Sequence, residues 1–171
     1  MSVRPNRRQA CLALAATTLP LTAPVWALDK PAGKVVLSVT GKVGQANAEG
    51  RADFDMAMLA ALPQKSFTTN TPWYKTPKKF TGPLLRDVLA AAGAKGTTLV
   101  AVALNDYKIE IPYEDAQRFD MVMARLLDDQ PMPTRDKGPL FIVYPYDSSA
   151  DLRSERYYSR SAWQLRTLEV K

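Results

Sequence analysis

The sequence predicts an α+β domain whose core is a curved, mostly antiparallel β-sheet with a few short helices. Apolar segments of strand length, many of them rich in β-branched residues, outnumber the segments with helical spacing. Only one segment carries a clear apolar stripe at helical spacing. The 171 residues contain no repeat, low-complexity tract or internal linker, so we expect a single domain.

Three elements are predicted before the main helix. Residues 34–40 alternate apolar and polar side chains and form a strand that ends at Gly41. A short helix is expected over residues 55–62, with Asp53 as its cap and a proline after it. Residues 66–71 are a second strand candidate.

The clearest helix follows Thr81-Gly82, with Pro83 in its first turn and Gly93 at its end. Its apolar face consists of Leu84, Leu85, Val88, Leu89 and Ala92. These side chains recur at helical spacing, so the helix should pack on the sheet with this face inward.

The second half of the chain is predicted to be mainly strands. Residues 98–104 and 108–111 form a hairpin about Asn105-Asp106, a pair that favours turns. One helical turn is expected over residues 113–118.

Two apolar runs, residues 121–127 and 139–144, are typical of buried strands. A final strand over residues 163–170 should place Trp163, Leu165, Thr167 and Glu169 on one face, and Leu168 and Val170 on the other.

Residues 1–27 are predicted to be a secretory signal peptide. Arginines precede an apolar run over residues 10–23, and Val-Trp-Ala closes the segment, so cleavage is expected after Ala27. The run is short and contains Pro20, which argues against a membrane span. Cys11 precedes the run, whereas a lipoprotein cysteine would follow it. We therefore expect a periplasmic protein, not embedded in the membrane, with residues 28–171 as its one domain.

Export through the twin-arginine route is an alternative, because Arg7 and Arg8 are adjacent. The residues after this pair lack the bulky apolar side chain usual in such signals, which favours export of the unfolded chain.

Composition excludes several classes of protein. The chain has no histidine, and its one cysteine, Cys11, leaves with the signal peptide. Ser/His/Asp triads, Cys/His pairs and disulfides are therefore excluded from the mature domain. Removal of three arginines leaves 20 basic and 17 acidic side chains, a net charge of about +3, so no nucleic-acid partner is predicted.

Methionine thioethers could bind copper(I), and three of them occur close together: Met121, Met123 and Met132. The alternation of the first two within a strand favours a core position instead. No dedicated metal site is predicted.

Five motifs in a fixed order give the chain its family resemblance. They are Phe-Thr-Gly-Pro-Leu-Leu-Arg-Asp-Val-Leu over residues 80–89, Asn105-Asp-Tyr107, Gln130-Pro-Met-Pro133, Gly138-Pro-Leu-Phe-Ile-Val-Tyr-Pro145 and Trp163-Gln-Leu165. In this order they resemble the molybdopterin-binding domain of the sulfite oxidase family. The resemblance covers nearly all of the mature chain, although that chain is shorter than the catalytic members. It implies the family fold and a molybdopterin cofactor.

The chain departs from the family where the metal ligand is expected. In catalytic members a cysteine before the Phe-x-Gly segment supplies a thiolate to molybdenum, and here residues 69–71 stand there, with Thr71 as the best match. A threonine hydroxyl is a poor substitute for a soft anionic sulfur. Lys137 stands where relatives often carry a histidine. The resemblance thus implies the fold without its redox chemistry, and we assign no catalytic residue.

Two loops contain the candidate ligand-binding residues. One loop is aromatic and basic, with Trp73, Tyr74, Lys75, Lys78 and Lys79, and the other is charged, with Arg135, Asp136 and Lys137. Such loops suit a flat anionic ligand such as molybdopterin, another pterin or a different heteroaromatic acid. Asn105 and Tyr107, at the predicted hairpin tip, could form a wall of the ligand pocket. The resemblance adds Arg153, Arg156 and Arg160, which would contact a pterin phosphate. The full set is Thr71, Trp73, Tyr74, Lys75, Asn105, Tyr107, Arg135, Lys137, Arg153 and Arg156.

Each group also has a purely structural interpretation. Trp73 and Tyr74 could simply anchor a loop, Asn105 and Tyr107 could form only a hairpin tip, and the arginines could make surface ion pairs.

Three functions remain open. The first is a non-catalytic binding, accessory or sensory protein for a pterin-like or other small anion, acting with a membrane-bound sensor or redox partner. The second is a molybdopterin-dependent oxidoreductase without thiolate ligation of the metal. The third is a protein-interaction module with no small ligand.

Overall fold

The computed structural model describes residues 28–171, which contain eleven β-strands and four α-helices. The predicted signal peptide, with Cys11, lies outside the described residues. Most strand pairs are antiparallel and the helices are short, which confirms the predicted α+β class.

Five strands form the largest sheet, in the order β2-β1-β11-β5-β6. They are β1 (Val35–Gly41), β2 (Arg51–Asp55), β5 (Thr98–Ala103), β6 (Lys108–Pro112) and β11 (Leu165–Val170). β1 and β11 run parallel, with Ser38 opposite Thr167, and the other pairs are antiparallel. The predicted hairpin is confirmed as β5–β6, and Asp106 in its turn has a φ of 64°.

Two smaller sheets complete the fold. One has the order β3-β4-β8-β9 and contains β3 (Gln64–Thr69), β4 (Lys78–Pro83), β8 (Leu126–Leu127) and β9 (Gln130–Pro131). The other pairs β7 (Val122–Ala124) with β10 (Phe141–Val143). The two sheets approach closely at Gly82, where a Cβ would clash with the backbone carbonyl of Met123.

The helices are α1 (Met56–Ala61), α2 (Leu85–Ala91), α3 (Tyr113–Arg118) and α4 (Glu155–Tyr158). Leu85, Val88, Leu89 and Ala92 have no exposed surface, which confirms this part of the predicted inward face. Leu84 differs, because it is the N-cap of α2 and is only half-buried. No helix within residues 28–171 is both long and apolar enough to span a bilayer.

The expected roles of Asp53 and Pro83 are wrong. Asp53 lies in β2, where its carboxylate accepts hydrogen bonds from Ser38 and Arg51. The N-cap of α1 is Asp55, whose carboxylate accepts the backbone N–H of Met58 at 2.8 Å. Pro83 ends β4 opposite Gln64, so it does not lie in the first turn of α2, which begins two residues later, at Leu85.

Two predicted strands also differ from those observed. The run over residues 121–127 is split into β7 and β8, which pair in different sheets. The alternation expected for the last strand is wrong, because Leu165, Leu168 and Val170 are all buried. A register shift between Leu165 and Thr167 moves Leu165 onto the same buried side as the other two. Trp163 precedes this strand.

Replacement of Leu85 by alanine should lower the free energy of unfolding by about 2 to 5 kcal/mol, because the side chain is fully buried. The measurement is the urea midpoint. Leu104, which is 41% exposed, provides the matched control, and Leu104→Ala should change the midpoint little. Equal shifts in the two variants would contradict the core position of α2.

Stability should fall below about pH 4, and Asp55 should contribute to this loss. Hydrogen bonds from the backbone N–H groups of Met58 and Gly33 lower the pKa of Asp55. The folded state therefore favours the ionised carboxylate, and this stabilisation is present above the unfolded pKa and is lost on protonation. Asp55→Asn keeps an acceptor for Met58 but has no charge, so urea unfolding at about pH 7 and pH 3.5 should show a smaller difference than in the native protein. An unchanged difference would exclude this contribution.

Candidate functional site

Trp73 is the centre of an aromatic cluster. It lies in the loop between β3 and β4, and its ring meets Phe141 at 5.4 Å and Trp163 at 5.5 Å between centroids, both edge to face. Tyr146 and Tyr158 lie 6.2 Å away in similar orientations. These contacts fix the loop against β10 and against the segment that leads into β11.

Asp147 holds the beginning of the same loop. Its carboxylate accepts hydrogen bonds from the backbone N–H and the side-chain amide of Asn70, at 2.7 and 3.0 Å. Its own backbone N–H donates to the hydroxyl of Thr69 at 3.1 Å. The segment that replaces the expected cysteine is thus fixed by a carboxylate from a distant turn.

Thr71 follows this anchor and is buried. Its hydroxyl has no hydrogen-bond partner within residues 28–171. Thr71 does not line the neighbouring cleft, so its side chain lies within the protein rather than at the wall of that cavity.

A cleft of about 480 Å³ opens beside Trp73. Its lining comes from the aromatic loop, from the β8–β9 hairpin and from the loop that follows β9. The lining residues are Trp73, Tyr74, Lys78, Leu127, Gln130, Pro131, Met132, Pro133, Arg135, Asp136 and Lys137. Four of the predicted ligand-binding residues meet here: Trp73, Tyr74, Arg135 and Lys137.

Lys137 presents its ammonium group to two aromatic rings of this region. The Nζ atom lies 4.8 Å from the ring centroid of Trp163 and 5.9 Å from that of Tyr74. The residue has a left-handed backbone, with a φ of 72°, and its carbonyl accepts the N–H of Gln164 at 2.9 Å. The side chain of Gln164 donates to the carbonyl of Thr134 at 2.6 Å, which ties the two loops together.

Burial raises the pKa of the Tyr74 phenol, and the nearby charges of Asp136 and Asp128 act in the same direction. The hydroxyl is buried and has no hydrogen-bond partner within residues 28–171. At neutral pH Tyr74 therefore adds a neutral aromatic wall to the cleft.

The opposite wall is held by ion pairs. Asp128 and Asp129 form the β8–β9 turn, with φ of 48° and 63°. Lys78 donates to Asp128 at 2.6 Å, and Lys79 contacts Asp129 at 2.8 Å. The hydrogen bonds from Lys78 and from the backbone N–H of Lys79 lower the pKa of Asp128. Lys78 is thus paired, and Arg135, at the exposed rim, lies 3.6 Å from the carboxylate of Asp136. Lys137 is therefore the main source of positive charge inside the cleft.

The other predicted residues do not join the cleft. Lys75, Arg153 and Arg156 are exposed and contribute nothing to its lining. Asn105 and Tyr107 line a separate groove of about 260 Å³, on which Trp163 also lies. The structure therefore divides the candidates among the cleft, this groove and the free surface.

Arg160 has a structural role that distinguishes it from Arg153 and Arg156, although the family resemblance implies the same candidate role for all three. Its guanidinium donates to Asp115 at 2.8 Å, and the hydroxyl of Tyr144 donates to the same carboxylate oxygen at 2.8 Å. Burial raises the pKa of Tyr144 far above its ordinary value, so the phenol remains a donor. This network fixes the segment that carries α4.

The hairpin side of the cleft was missed at the sequence level. Lys78 belongs to the predicted basic loop. Its pairing with Asp128 depends on the contact between β4 and β8, which the sequence does not reveal. Gln130 and Met132 belong to a family motif, yet nothing in their types shows that they face a cavity. The Asp128-Asp129 pair, a turn-forming sequence that follows the apolar residues of β8, was the one available signal.

Comparison with known proteins agrees with this architecture. The family model for the oxidoreductase molybdopterin-binding domain matches residues 36–150, well over half of the chain. No curated protein sequence matches the chain. The matched range contains every wall of the cleft, and the sheets have the α+β arrangement that the resemblance implied. The chain belongs to the oxidoreductase molybdopterin-binding domain of the sulfite oxidase family.

Proposed function

We propose that the protein is a non-catalytic binding protein for a flat anionic heteroaromatic ligand of the pterin class, and that the cleft is its site. One observation carries this proposal: two loops far apart in sequence bring the rings of Trp73 and Tyr74 together with the ammonium of Lys137 and the guanidinium of Arg135.

The chemistry of the lining suits such a ligand. Aromatic faces stack on a planar heterocycle, and an ammonium group makes charge-assisted hydrogen bonds to a carboxylate or phosphate. The volume of about 480 Å³ falls within the usual range for small-molecule sites.

The residues fit the organic part of the family cofactor but not a molybdenum centre bound through a thiolate. Residues 28–171 contain no cysteine and no histidine. The hydroxyl of Thr69 is engaged with Asp147, and that of Thr71 is buried and neutral. Within residues 28–171, no three Asp, Glu, His or Cys side chains form a group that could hold a metal ion. We therefore assign no oxygen-transfer step to this chain.

The proposal includes a periplasmic location, which rests on the composition of residues 1–27. A binding protein in that compartment needs a way to report its occupancy. A membrane-bound sensor or redox protein is the partner that we propose.

The first test is titration of the purified protein with pterin-6-carboxylate, followed by calorimetry and by tryptophan fluorescence. Trp73 and Trp163 are the tryptophans of residues 28–171, and both lie close to Lys137 or to the cleft, so binding should change their emission. Pterin without the carboxylate should bind more weakly. Lys137→Met keeps a long flexible side chain but removes the charge, and it should weaken binding of the carboxylate by about 1.5 to 3 kcal/mol.

The expected order of effects makes the test sharper. Arg135→Ala should weaken binding less than Lys137→Met, because the Arg135 side chain is 87% exposed and water screens its charge. Lys95→Ala, at an exposed position outside the cleft, is the matched control and should leave the affinity unchanged. If Lys137→Met binds as tightly as the native protein, the ligand does not use this cleft.

A second test addresses the missing sulfur. Thr71→Cys should not create sulfite oxidation or sulfoxide reduction, because residue 71 is buried and outside the cleft lining. A thiol buried in this way also keeps a raised pKa and little thiolate character. The measurement is sulfite-dependent reduction of an electron acceptor, with molybdenum analysis, after expression in a host that makes molybdopterin. Activity with stoichiometric molybdenum in either form would overturn the non-catalytic assignment.

A further inference from the structure

A third cavity, which we call the aromatic groove, shares Trp73 with the cleft but has a different lining. It measures about 330 Å³ and lies between the β5–β6 hairpin, the aromatic loop and the segment that carries α4. Four aromatic side chains contribute to it: Trp73, Tyr107, Tyr158 and Trp163. It joins the groove beside Asn105 along Tyr107, Ile109 and Trp163, which line both.

The aromatic rings form walls rather than a stack. The planes of Trp73 and Trp163 meet at 69°, and those of Trp73 and Tyr158 at 78°. Tyr107 adds an outer wall from the hairpin and is 63% exposed, the most exposed large apolar side chain within residues 28–171. Together with Trp73, Tyr158 and Trp163 it makes one aromatic patch, and a contiguous exposed patch of this kind is typical of a recognition surface.

Glu155 is the one charged residue in the lining of this groove. Its carboxylate makes no ion pair within residues 28–171. Two arginines are near in sequence, but Arg160 is bound to Asp115, and Arg156 does not contribute to the lining. Among residues 28–171, the one charge in the lining of this groove is therefore negative, whereas the lining of the cleft includes the ammonium group of Lys137.

We propose that this groove binds a quaternary or N-methylated ammonium group. A cation over an aromatic face is attracted by the ring quadrupole, most strongly by tryptophan, and a nearby carboxylate adds to the attraction. Methylation suits the site because four of its nine lining residues are aromatic, and aromatic walls pack well against methyl groups. The protein itself contains such a contact, because the ammonium group of Lys137 lies 4.8 Å from the ring centroid of Trp163.

The two sites share Trp73, but their charged residues differ. Lys137 and Arg135 line the cleft but not this groove, whereas Glu155 and Tyr107 line this groove but not the cleft. A pterin titration and a cation titration can therefore fail separately.

The experiment is calorimetric titration of the purified protein with choline, compared with 3,3-dimethylbutan-1-ol, its neutral carbon analogue of nearly equal shape. Choline should bind, and the neutral analogue should bind about tenfold more weakly or not at all. Tyr107→Ala should weaken choline binding about three- to tenfold, and Tyr107→Phe, which keeps the ring, should restore most of it. Glu155→Gln should weaken binding, while Glu110→Gln, an exposed carboxylate on β6 outside the lining, should not.

The variants suit this purpose because Tyr107 and Glu155 are exposed and should not affect folding. Equal binding of choline and the neutral analogue would show a merely apolar groove and overturn the proposal. Absence of choline binding, or full affinity in Tyr107→Ala, would overturn it as well.

Discussion

The packing of Trp73 against four other aromatic rings is the interaction on which both the cleft and the aromatic groove depend. The indole lies where the β3–β4 loop, strand β10 and the segment before β11 meet, and each of these comes from a different part of the chain. The edge-to-face contacts of this half-buried ring fix the loop against its neighbours. The adjoining anchor, in which Asp147 binds Asn70 and Thr69, fixes the backbone that precedes it. The side chains around Trp73 are therefore preorganised before any ligand arrives.

The same ring separates two regions of different electrostatic character. Lys137 and Arg135 face the cleft, where Lys78 is neutralised by Asp128. Glu155 faces the aromatic groove. The fold does not determine the charge of either cavity. The fold specifies the strands and loops, whereas single side chains at their ends determine which charge lines a cavity.

Local patterns were enough to predict the fold class, α2, α3 and the β5–β6 hairpin. Each of these depends on spacing or turn chemistry within a few residues, as in the inward leucines of α2 or the positive φ of Asp106. The errors have non-local causes. Asp53 looks like a helix cap until β2 pairs with β1, and Leu165 changes side because of a register shift that the sequence does not reveal.

The cleft could be predicted in part for the same reason. Trp73, Tyr74, Arg135 and Lys137 stand out by residue type, so two unusual loops pointed to them directly. Lys75, Arg153 and Arg156 have the same chemistry but face solvent, and only the tertiary structure distinguishes the two groups. The β8–β9 wall, built on Asp128 and Asp129, could not be placed without the pairing of Lys78 and Lys79 across the sheet.

The position of β11 has a consequence for the timing of folding. This strand lies in the middle of the five-stranded sheet, between β1 and β5, and the backbone N–H of Lys42 donates to the carbonyl of Val170 at 3.0 Å. A nascent chain that ends before Leu165 leaves β1 and β5 without the strand that joins them. Closing so long a loop is slow and must precede the contacts that reward it. The two central pairings of this sheet, β1 with β11 and β11 with β5, therefore form only after synthesis has passed Val170.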